Sequence, residues 1–374
     1  MAAKKWKIAL TNNILSLWVR FFGAKKPLDE PINTIEFDHI AVFSTTALGD
    51  FMLNTPAIRA LRKRYPKASI TLLSSHKNRT LVESCAYFSK VIYWDQKVHY
   101  LPSVVHQLRR EKPQLAVLLH SKHPYDIAAT VLSGCQCILK DSYQTEPIGM
   151  EDWLAGETSN RFDGHQIARK LSLVAKLGCD ITDVTMFLPC SYTFLPAVEN
   201  QIIIGFQMGA SKPDRMWPVT CFIELAHILF SKDNAYRIVL IGTAQETSLG
   251  EALLAELNDT EKQRIDNVIG KTDLPELLAQ IKRFSVLVTG DTGPLHLAVS
   301  LKTPTVSLFG GFANPKYTGP YQDPHLHTVI QAPLTDDLRK GDLSAVSAEL
   351  VAQKIFVQTQ AKISESSQKT AGAG

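Results

Sequence analysis

Short apolar runs alternate with amphipathic stretches along this chain from residue 38 onward. The runs are short enough for strands and the stretches between them have helical spacing, which is typical of parallel strands joined by helices. A first series comprises Ile40–Ser44, Ile70–Leu73, Val91–Trp94, Leu115–Leu119 and Cys137–Leu139. A second series comprises Ile202–Phe206, Arg237–Ile241, Asn267–Ile269, Phe284–Val288 and Thr305–Phe309. The pattern predicts an α/β fold with two Rossmann-like, doubly wound parallel-sheet domains.

The segments around these two series suggest how the chain is divided. A proline-bearing stretch, Phe187–Pro196, separates the series, and a last helical pattern, Ser344–Phe356, follows the second. We expect this last helix to cross back and pack on the first domain. Because open α/β sheets bind ligands at the carboxyl ends of their strands, we expect the two domains to face a ligand-binding cleft. The predicted boundaries are 38–185 for the first domain, 186–200 for the linker, 201–335 for the second domain, 343–360 for the last helix and 364–374 for a disordered tail.

Residues 1–30 form a basic leader whose apolar residues fall at helical spacing: Trp6, Leu10, Ile14, Leu17, Trp18 and Phe21. Six basic residues and no acidic one lie within residues 1–26, whereas the whole chain has a net charge of +4. The remainder is therefore net negative, which argues against a nucleic-acid partner. The leader is too short and too polar for a membrane span, and it lacks the cleavage site of a signal peptide. An amphipathic helix on an anionic membrane surface fits the pattern, and a helix that packs on the protein body is the alternative.

Six cysteines are scattered along the chain, and none forms a Cys-x-x-Cys pair. Cys135 and Cys137, the nearest pair, are separated by one residue. This spacing argues against a disulfide framework and against a zinc site. It indicates reduced thiols in a cytoplasmic compartment.

The first predicted strand ends in a loop that carries an aspartate beside a glycine, Gly49-Asp50. A carboxylate at the end of a strand near a cleft is a candidate general base, and a cap for a short turn is the alternative. Thr55 and Pro56 predict the start of the next helix, with threonine as its cap and proline at its first position.

That helix carries Arg59, Arg62 and Lys63 on one face. Arginine suits phosphates and carboxylates, so this face is a candidate platform for an anionic acceptor. A solvated basic surface is the alternative. Lys122, which follows the fourth apolar run, is a further candidate for acceptor binding.

The first corner of the second domain follows the run Ile202–Phe206. Here Ser211, Lys212 and Arg215 lie after a glycine and are predicted to reach a diphosphate. Glu246, after the next strand, is a candidate for binding ribose hydroxyls, with a helix cap as the alternative.

The most informative corner is Asp291-Thr292-Gly293, which follows the run Phe284–Val288. A helix with Pro294 at its first position begins there, so backbone N–H groups and the positive end of the helix dipole can hold a pyrophosphate. His296 lies in the first turn and is a candidate nucleotide contact, with a buried histidine as the alternative. The corner lacks the lysine of a Walker loop and the spaced glycines of the dinucleotide fingerprint. No Asp-x-Asp pair stands at a strand end, so we expect no metal.

At these corners the sequence resembles glycosyltransferase family 9, the ADP-heptose:lipopolysaccharide heptosyltransferases. The resemblance covers residues 38–320, nearly the whole body of the chain. The matching pieces are Ala47-Leu-Gly-Asp50 with Asn54–Pro66, Gly209-Ala-Ser211 with Arg215-Met-Trp-Pro218, and Asp291–Ala298 with Thr303–Gly310.

The resemblance implies a GT-B fold, with the nucleotide sugar on the second domain and the acceptor on the first. It implies inversion at the anomeric carbon without a metal or other cofactor. By position, Asp50 matches the family's proposed base, and Ser211 and Arg215 match its diphosphate contacts. Glu246 lies near the ribose-binding acid. The donor-binding block of the family is matched by Asp291, Thr292, Gly293 and His296.

The implied activity is transfer of heptose from ADP-heptose to a lipid-linked inner-core acceptor of lipopolysaccharide. The implied place is the cytoplasmic face of the inner membrane, with the leader as a peripheral contact. The chain departs from the family at Gln207-Met208, where a His-Pro pair is common, at Arg215, where lysine is common, and at Gly310–Pro315. These departures leave the donor sugar open. A family 9-like transferase with another nucleotide sugar and a non-catalytic nucleotide-sugar-binding protein are the alternatives.

Overall fold

The computed structural model of this chain describes residues 2–22, 30–121, 123–143, 149–159, 161–196, 200–334 and 341–371. The chain forms two compact units, Met1–Cys190 and Ser191–Gly374, which part inside the predicted linker. Each unit contains one six-stranded parallel sheet whose strands alternate with helices along the chain. The predicted α/β class with two doubly wound sheets is confirmed.

The sheet of the first unit has the order β3-β2-β1-β4-β5-β6. Its strands are β1 His39–Ser44, β2 Ser69–Ser74, β3 Lys90–Tyr93, β4 Leu115–His120, β5 Cys137–Lys140 and β6 Gly156–Glu157. The helices of the unit are α1 Ala2–Phe22, α2 Leu48–Arg64, α3 Arg79–Val82, α4 Leu101–Arg110, α5 Tyr125–Leu132 and α6 Gln166–Ala175. The first five strands correspond to the predicted apolar runs. The edge strand β6 was not predicted, because two residues are too few for a periodic signal.

The helix after β1 begins at Leu48, so the predicted start at Pro56 is wrong. A proline inside a helix leaves the carbonyl four residues earlier without its N–H donor. Here that carbonyl belongs to Met52, and it accepts a hydrogen bond of 2.7 Å from Thr55 Oγ1. The threonine therefore compensates for the proline and the helix continues. Asp50 lies in the first turn of α2, where the helix dipole favours an anion.

Helix α1 packs on the first unit through a side that the leader's apolar pattern did not indicate. Ile8 and Leu15 are buried in the core cluster of that unit. Asn12 Oδ1 accepts a hydrogen bond of 2.8 Å from Trp153 Nε1, which lies on the body of the unit. The alternative reading, a helix packed on the body, therefore holds for this side of α1. The predicted apolar stripe points elsewhere.

The sheet of the second unit has the order β12-β11-β10-β7-β8-β9. Its strands are β7 Ile202–Gln207, β8 Tyr236–Ile241, β9 Ile265–Asn267, β10 Val286–Gly290, β11 Thr305–Phe309 and β12 His327–Gln331. Its helices are α7 Val219–Lys232, α8 Thr247–Ala255, α9 Asp259–Lys262, α10 Leu274–Arg283, α11 Gly293–Ser300, α12 Pro315–Thr318 and α13 Ala348–Ala371. Strand β9 lies slightly before the predicted run, and β12, with alternating polar residues, was not predicted.

The last helix, α13, corrects the expectation that it packs on the first domain. Val351, Ala352 and Ile355 are buried in the core of the second unit. The segment before the helix is anchored in the same unit, because Trp217 Nε1 donates to the Val346 carbonyl at 2.9 Å. The helix extends to Ala371, so the predicted end at residue 360 and the disordered tail from 364 are wrong up to that residue. Residues 372–374 lie outside the described residues.

All six cysteines are free thiols, in agreement with the prediction. Within the ranges that the structure describes, no helix combines enough length with enough apolar character to cross a membrane.

Candidate functional site

Each sheet has a point where the strand order reverses, beside its first strand. In the first unit this point lies between β1 and β4, and in the second unit between β7 and β10. Open α/β sheets bind ligands at the carboxyl ends of the strands at such points. The predicted corners at Asp50 and at Asp291-Thr292-Gly293 follow β1 and β10, so both lie at these reversal points.

At the reversal point of the first unit, Asp50 faces a histidine. The carboxylate of Asp50 is about two-fifths exposed, and its Oδ1 atom lies 3.9 Å from Nδ1 of His120. His120 is the last residue of β4, and its carbonyl accepts a hydrogen bond of 2.9 Å from the N–H of Thr45. Sequence reasoning missed His120, although its place after an apolar strand was a usable signal.

Buried charges lie behind this pair. The carboxylate of Asp141 binds both Arg169 Nε, at 2.6 Å, and Lys170 Nζ. Lys170 also donates to the Leu119 carbonyl at 2.6 Å and to Tyr143 Oη at 2.7 Å. Burial alone would raise the pKa of Asp141, but Lys170 and Arg169 hold it below its usual value. Two basic side chains therefore share one carboxylate in this cluster.

Burial, with a contribution from this cluster, determines the charge of His120. Burial lowers the pKa of His120 to about 4, and Lys170 contributes in the same direction, although Asp50 opposes the shift. His120 is therefore a neutral imidazole near pH 7. A neutral imidazole has one N–H donor and one acceptor nitrogen.

The two arginines of α2 that were predicted to bind the acceptor make contacts within the first unit. Arg59 Nη2 contacts Asp183 Oδ1 at 2.7 Å and the Thr185 carbonyl at 2.5 Å. Arg62 donates to the carbonyls of Ala68 and Tyr87, at 2.8 and 2.6 Å. The acceptor-binding assignment of both arginines stays a prediction, and in the structure their guanidinium groups contact the chain of their own unit.

Two further acceptor candidates have different outcomes. Lys63 is mostly exposed, and its Nζ lies 3.6 Å from Asp183 Oδ2. Lys122 lies outside the described residues, so its assignment stays a prediction.

Polar side chains line the carboxyl edge of the first sheet next to Asp50. Asn78 Nδ2 donates to the Thr46 carbonyl at 2.9 Å. Farther along the edge, Asp95 accepts from Ser75 Oγ at 2.7 Å and lies 2.9 Å from His76 Nδ1.

In the second unit, Gln207 joins the corners that follow β7 and β10. Its Oε1 accepts hydrogen bonds from Thr289 Oγ1 at 2.9 Å and from Thr292 Oγ1 at 3.1 Å. Its Nε2 donates to the Gly209 carbonyl at 2.5 Å. Gln207 is buried, so these bonds fix the relative position of the two corners.

Arg215 and Asp291, both predicted to be donor-binding residues, are brought together. Arg215 Nη1 lies 3.4 Å from Asp291 Oδ2, and the arginine side chain is about a quarter exposed. The backbone at Arg215 also runs close to Gly290, the last residue of β10. A side chain at Gly290 would bring its Cβ to 3.1 Å from the Arg215 carbonyl oxygen. A guanidinium has five N–H donors, so Arg215 can hold Asp291 and a phosphate oxygen together.

Glu246 lies between two glycines. A Cβ on Gly209 would stand 2.1 Å from Glu246 Oε1, and a Cβ on Gly242 would stand 2.2 Å from Oε2. The N–H of Thr243 donates to Oε2 at 2.9 Å, so the capping alternative is realised for this oxygen. Burial raises the pKa of Glu246. The glycines thus give the carboxyl group room at the ends of β7 and β8.

The remaining donor-binding candidates lie around the start of α11. Thr292 precedes the helix, Gly293 is its first residue, and His296 is buried in its first turn. Ser211 and Lys212 are exposed on the loop after β7. Among the described residues, no three His, Cys, Asp or Glu side chains form a cluster that could hold a metal ion. The absence of a metal requirement stays a prediction.

Comparisons with known proteins found a matching family and several relatives. The model of "Glycosyltransferase family 9 (heptosyltransferase)" matches residues 159–345, which is half of the chain. Lipopolysaccharide heptosyltransferase 2 of Salmonella typhimurium is 25% identical over 331 residues, which cover 81% of this chain and 91% of that protein. The protein of the same name from Escherichia coli is 35% identical over 143 residues, 37% of this chain and 39% of that protein.

A solved structure is also similar. The structure of E. coli ADP-heptose LPS heptosyltransferase II has a TM-score of 0.69 and 22% sequence identity, and the match covers 87% of this chain and 99% of that chain. This likeness confirms the predicted GT-B fold class.

Proposed function

The chain belongs to glycosyltransferase family 9, the heptosyltransferases, and from this membership we propose that it transfers heptose from ADP-heptose to an inner-core acceptor of lipopolysaccharide. The relatives named above supply the donor and the acceptor class. The observation that carries the proposal is the corner at β10, where Arg215 and Asp291 adjoin the N-terminus of α11.

The donor diphosphate is proposed to bind at this corner. The N–H groups at the start of α11 and the helix dipole attract a diphosphate, and Arg215 adds a charged donor. During transfer the same groups stabilise the negative charge that builds up on the departing ADP. The buried hydrogen bonds of Gln207 keep the corner in place, so no rearrangement is needed when the charge develops.

Asp50 is proposed to act as the general base. Its carboxylate takes the proton of the acceptor hydroxyl while that oxygen attacks C1 of the heptose. The bond between C1 and the ADP oxygen breaks, and its electron pair leaves with ADP. Attack from the face opposite ADP inverts the configuration at C1. No step of this mechanism requires a metal or another cofactor.

Transfer assays with Asp50→Asn test this role. We expect the variant to lose about 10²–10⁴-fold in kcat, which is the usual contribution of a general base. ADP-heptose should still raise its melting temperature as it does in the wild type, because Asp50 lies in the first unit. Turnover within about tenfold of wild type would refute the assignment.

The donor sugar requires a separate test, because Gln207 and Arg215 differ from the residues common in the family. A thermal-shift panel of ADP-heptose and nucleotide-hexoses identifies the preferred donor, since the tightest ligand raises the melting temperature most. Arg215→Ala is the control and should reduce the shift. A larger shift with another nucleotide sugar would favour a transferase with a different donor. Donor binding without transfer to any lipid-linked acceptor would favour a binding protein.

The leader is proposed to hold the protein at the cytoplasmic face of the inner membrane. Five apolar side chains of α1 lie within roughly a quarter of the helix circumference, and they are between 49% and 74% exposed: Trp6, Leu10, Ile14, Leu17 and Phe21. We call this surface the α1 stripe. It lies opposite Ile8 and Leu15, which pack on the first unit. Exposed apolar residues flanked by Lys7 and Arg20 suit an anionic lipid surface.

Co-sedimentation with vesicles tests the membrane proposal. We expect wild-type protein to bind vesicles that contain phosphatidylglycerol more strongly than pure phosphatidylcholine vesicles, and less at high salt. The double variant Leu10→Ser with Leu17→Ser should lose most of the binding. Val357→Ser, which changes an exposed apolar residue of α13, is the matched control. Equal binding by the double variant and the control would refute the role of the α1 stripe.

A further inference from the structure

His120 occupies a fixed position beside the proposed base. In the sheet register Ser44 of β1 lies opposite His120 of β4. The backbone is held on both sides of the ring, because the His120 carbonyl accepts from Thr45 N–H and the Leu119 carbonyl accepts from Lys170. The imidazole therefore has little freedom other than rotation of its own side chain.

The ring lies between Asp50 and Tyr143. Its Nδ1 atom is 3.9 Å from Asp50 Oδ1, and its centroid is 5.9 Å from that of Tyr143, with the planes tilted by 34°. A distance of 3.9 Å is longer than a hydrogen bond, but catalytic hydrogen bonds are often long before the substrate binds and shorten in the complex.

Burial and two neighbouring lysines keep the ring uncharged. Asp50 comes from α2, Lys140 and Asp141 from β5 and the residue after it, and Lys170 from α6. Burial and the two lysines disfavour a proton on the ring more strongly than the two carboxylates favour it. The neutral ring carries one N–H, and its Nδ1 atom lies on the side of Asp50, 3.9 Å from Oδ1.

We propose that His120 is a positioning residue for proton transfer, which donates Nδ1–H to Asp50 Oδ1 and leaves Oδ2 free to accept the proton of the acceptor hydroxyl. The inference rests on the proposed function of Asp50. In the transfer step the hydroxyl proton moves to Oδ2, the acceptor oxygen forms its bond to C1, and the electron pair of the broken C1–O bond leaves with ADP. His120 neither gains nor loses a proton.

Two substitutions separate this role from a structural one. His120→Ala removes the donor, whereas His120→Asn retains an N–H close to the place of Nδ1. We expect His120→Ala to lower kcat by about 10- to 100-fold with little change in KM, as expected for a hydrogen bond to a charged group. His120→Asn should recover most of this loss.

Melting temperatures of both variants check folding, and His99→Ala, on the exposed surface before α4, is the matched control with wild-type activity. A His120→Ala variant with kcat within about threefold of wild type would overturn the inference. Equal losses in His120→Ala and His120→Asn would also overturn it. Such a result would mean that the N–H retained by asparagine does not restore activity, so the histidine would act through its size or packing. Wild-type turnover and Asp50→Asn are measured in the same series. Full activity of Asp50→Asn would overturn the proposed base, whereas an inactive Asp50→Asn with a fully active His120→Ala overturns only the role of His120.

Discussion

Replacement of Gly209 by alanine tests how the second unit accommodates Glu246. The added Cβ would lie 2.1 Å from Glu246 Oε1 and 2.2 Å from its Cδ. Ordinary contacts of this kind are about 3.5–4 Å, so the carboxyl group has to move by more than about 1 Å. The movement breaks the bond of 2.9 Å between Thr243 N–H and Oε2.

The expected cost follows from these two effects. Overpacking in a dense region costs about 1–3 kcal/mol, and loss of a capping interaction costs about 0.5–2 kcal/mol. When the glutamate side chain moves away, the overpacking is relieved but the capping hydrogen bond is lost. The two costs are therefore not added. We therefore expect Gly209→Ala to lower the free energy of unfolding by about 1–3 kcal/mol. It should also weaken donor binding if Glu246 contacts the ribose.

Urea denaturation of Gly209→Ala, Glu246→Ala and the double variant forms a cycle that isolates the clash. In the Glu246→Ala background the new methyl group has no carboxyl group to displace. The glycine substitution should then cost less by at least about 1 kcal/mol. Equal costs in the two backgrounds would show that another contact is responsible, and the reasoning about the two glycines would be wrong.

Three other changes have expected outcomes. Gln207→Leu removes the acceptor shared by Thr289 and Thr292, so the donor KM should rise about tenfold or more while the acceptor KM changes little in steady-state assays. Lys140→Met leaves the fully buried Asp126 without the cation that contacts it at 2.8 Å, so the free energy of unfolding should fall by about 3–5 kcal/mol and Asp126→Asn should restore part of it. Burial lowers the pKa of His327 to about 4, against about 6.5 in the unfolded chain. Between these values only the unfolded chain gains the proton, so stability should fall as the pH drops from about 6.5 to about 4, and His327→Gln should flatten this slope in urea titrations.

Buried apolar strands that end at a turn were the easiest features to predict from the sequence. The runs that became β1, β4, β7 and β10 carry their signal locally, as apolar residues followed by a break. The corner at Asp291 could be predicted for the same reason, since strand, turn and helix start lie within a few residues. Helix α2 shows the limit of local rules, because Thr55 compensates for Pro56 in a way that the proline preference does not include.

The pairs that build the site join distant parts of the chain, and this explains why they were missed. His120 meets Asp50 only because β4 lies next to β1, and Gln207 meets Thr289 only because β10 lies next to β7. The α2 arginines show the same limit. Their spacing suggested a ligand, but the sequence did not indicate that their guanidinium groups donate to carbonyls of distant residues. Periodicity likewise identified α13 as a helix without indicating which unit it packs on.

The position of Asn12 has a practical consequence for work with the purified protein. Its bond to Trp153 fixes the rotation of α1 and leaves the apolar side of the helix, the α1 stripe, exposed to solvent. Without lipid, such a side favours self-association and adsorption to tubes and columns. Mild detergent throughout purification, or the substitutions Leu10→Ser and Leu17→Ser, which leave the buried Ile8 and Leu15 in place, should therefore yield a monodisperse sample for crystallisation and kinetics.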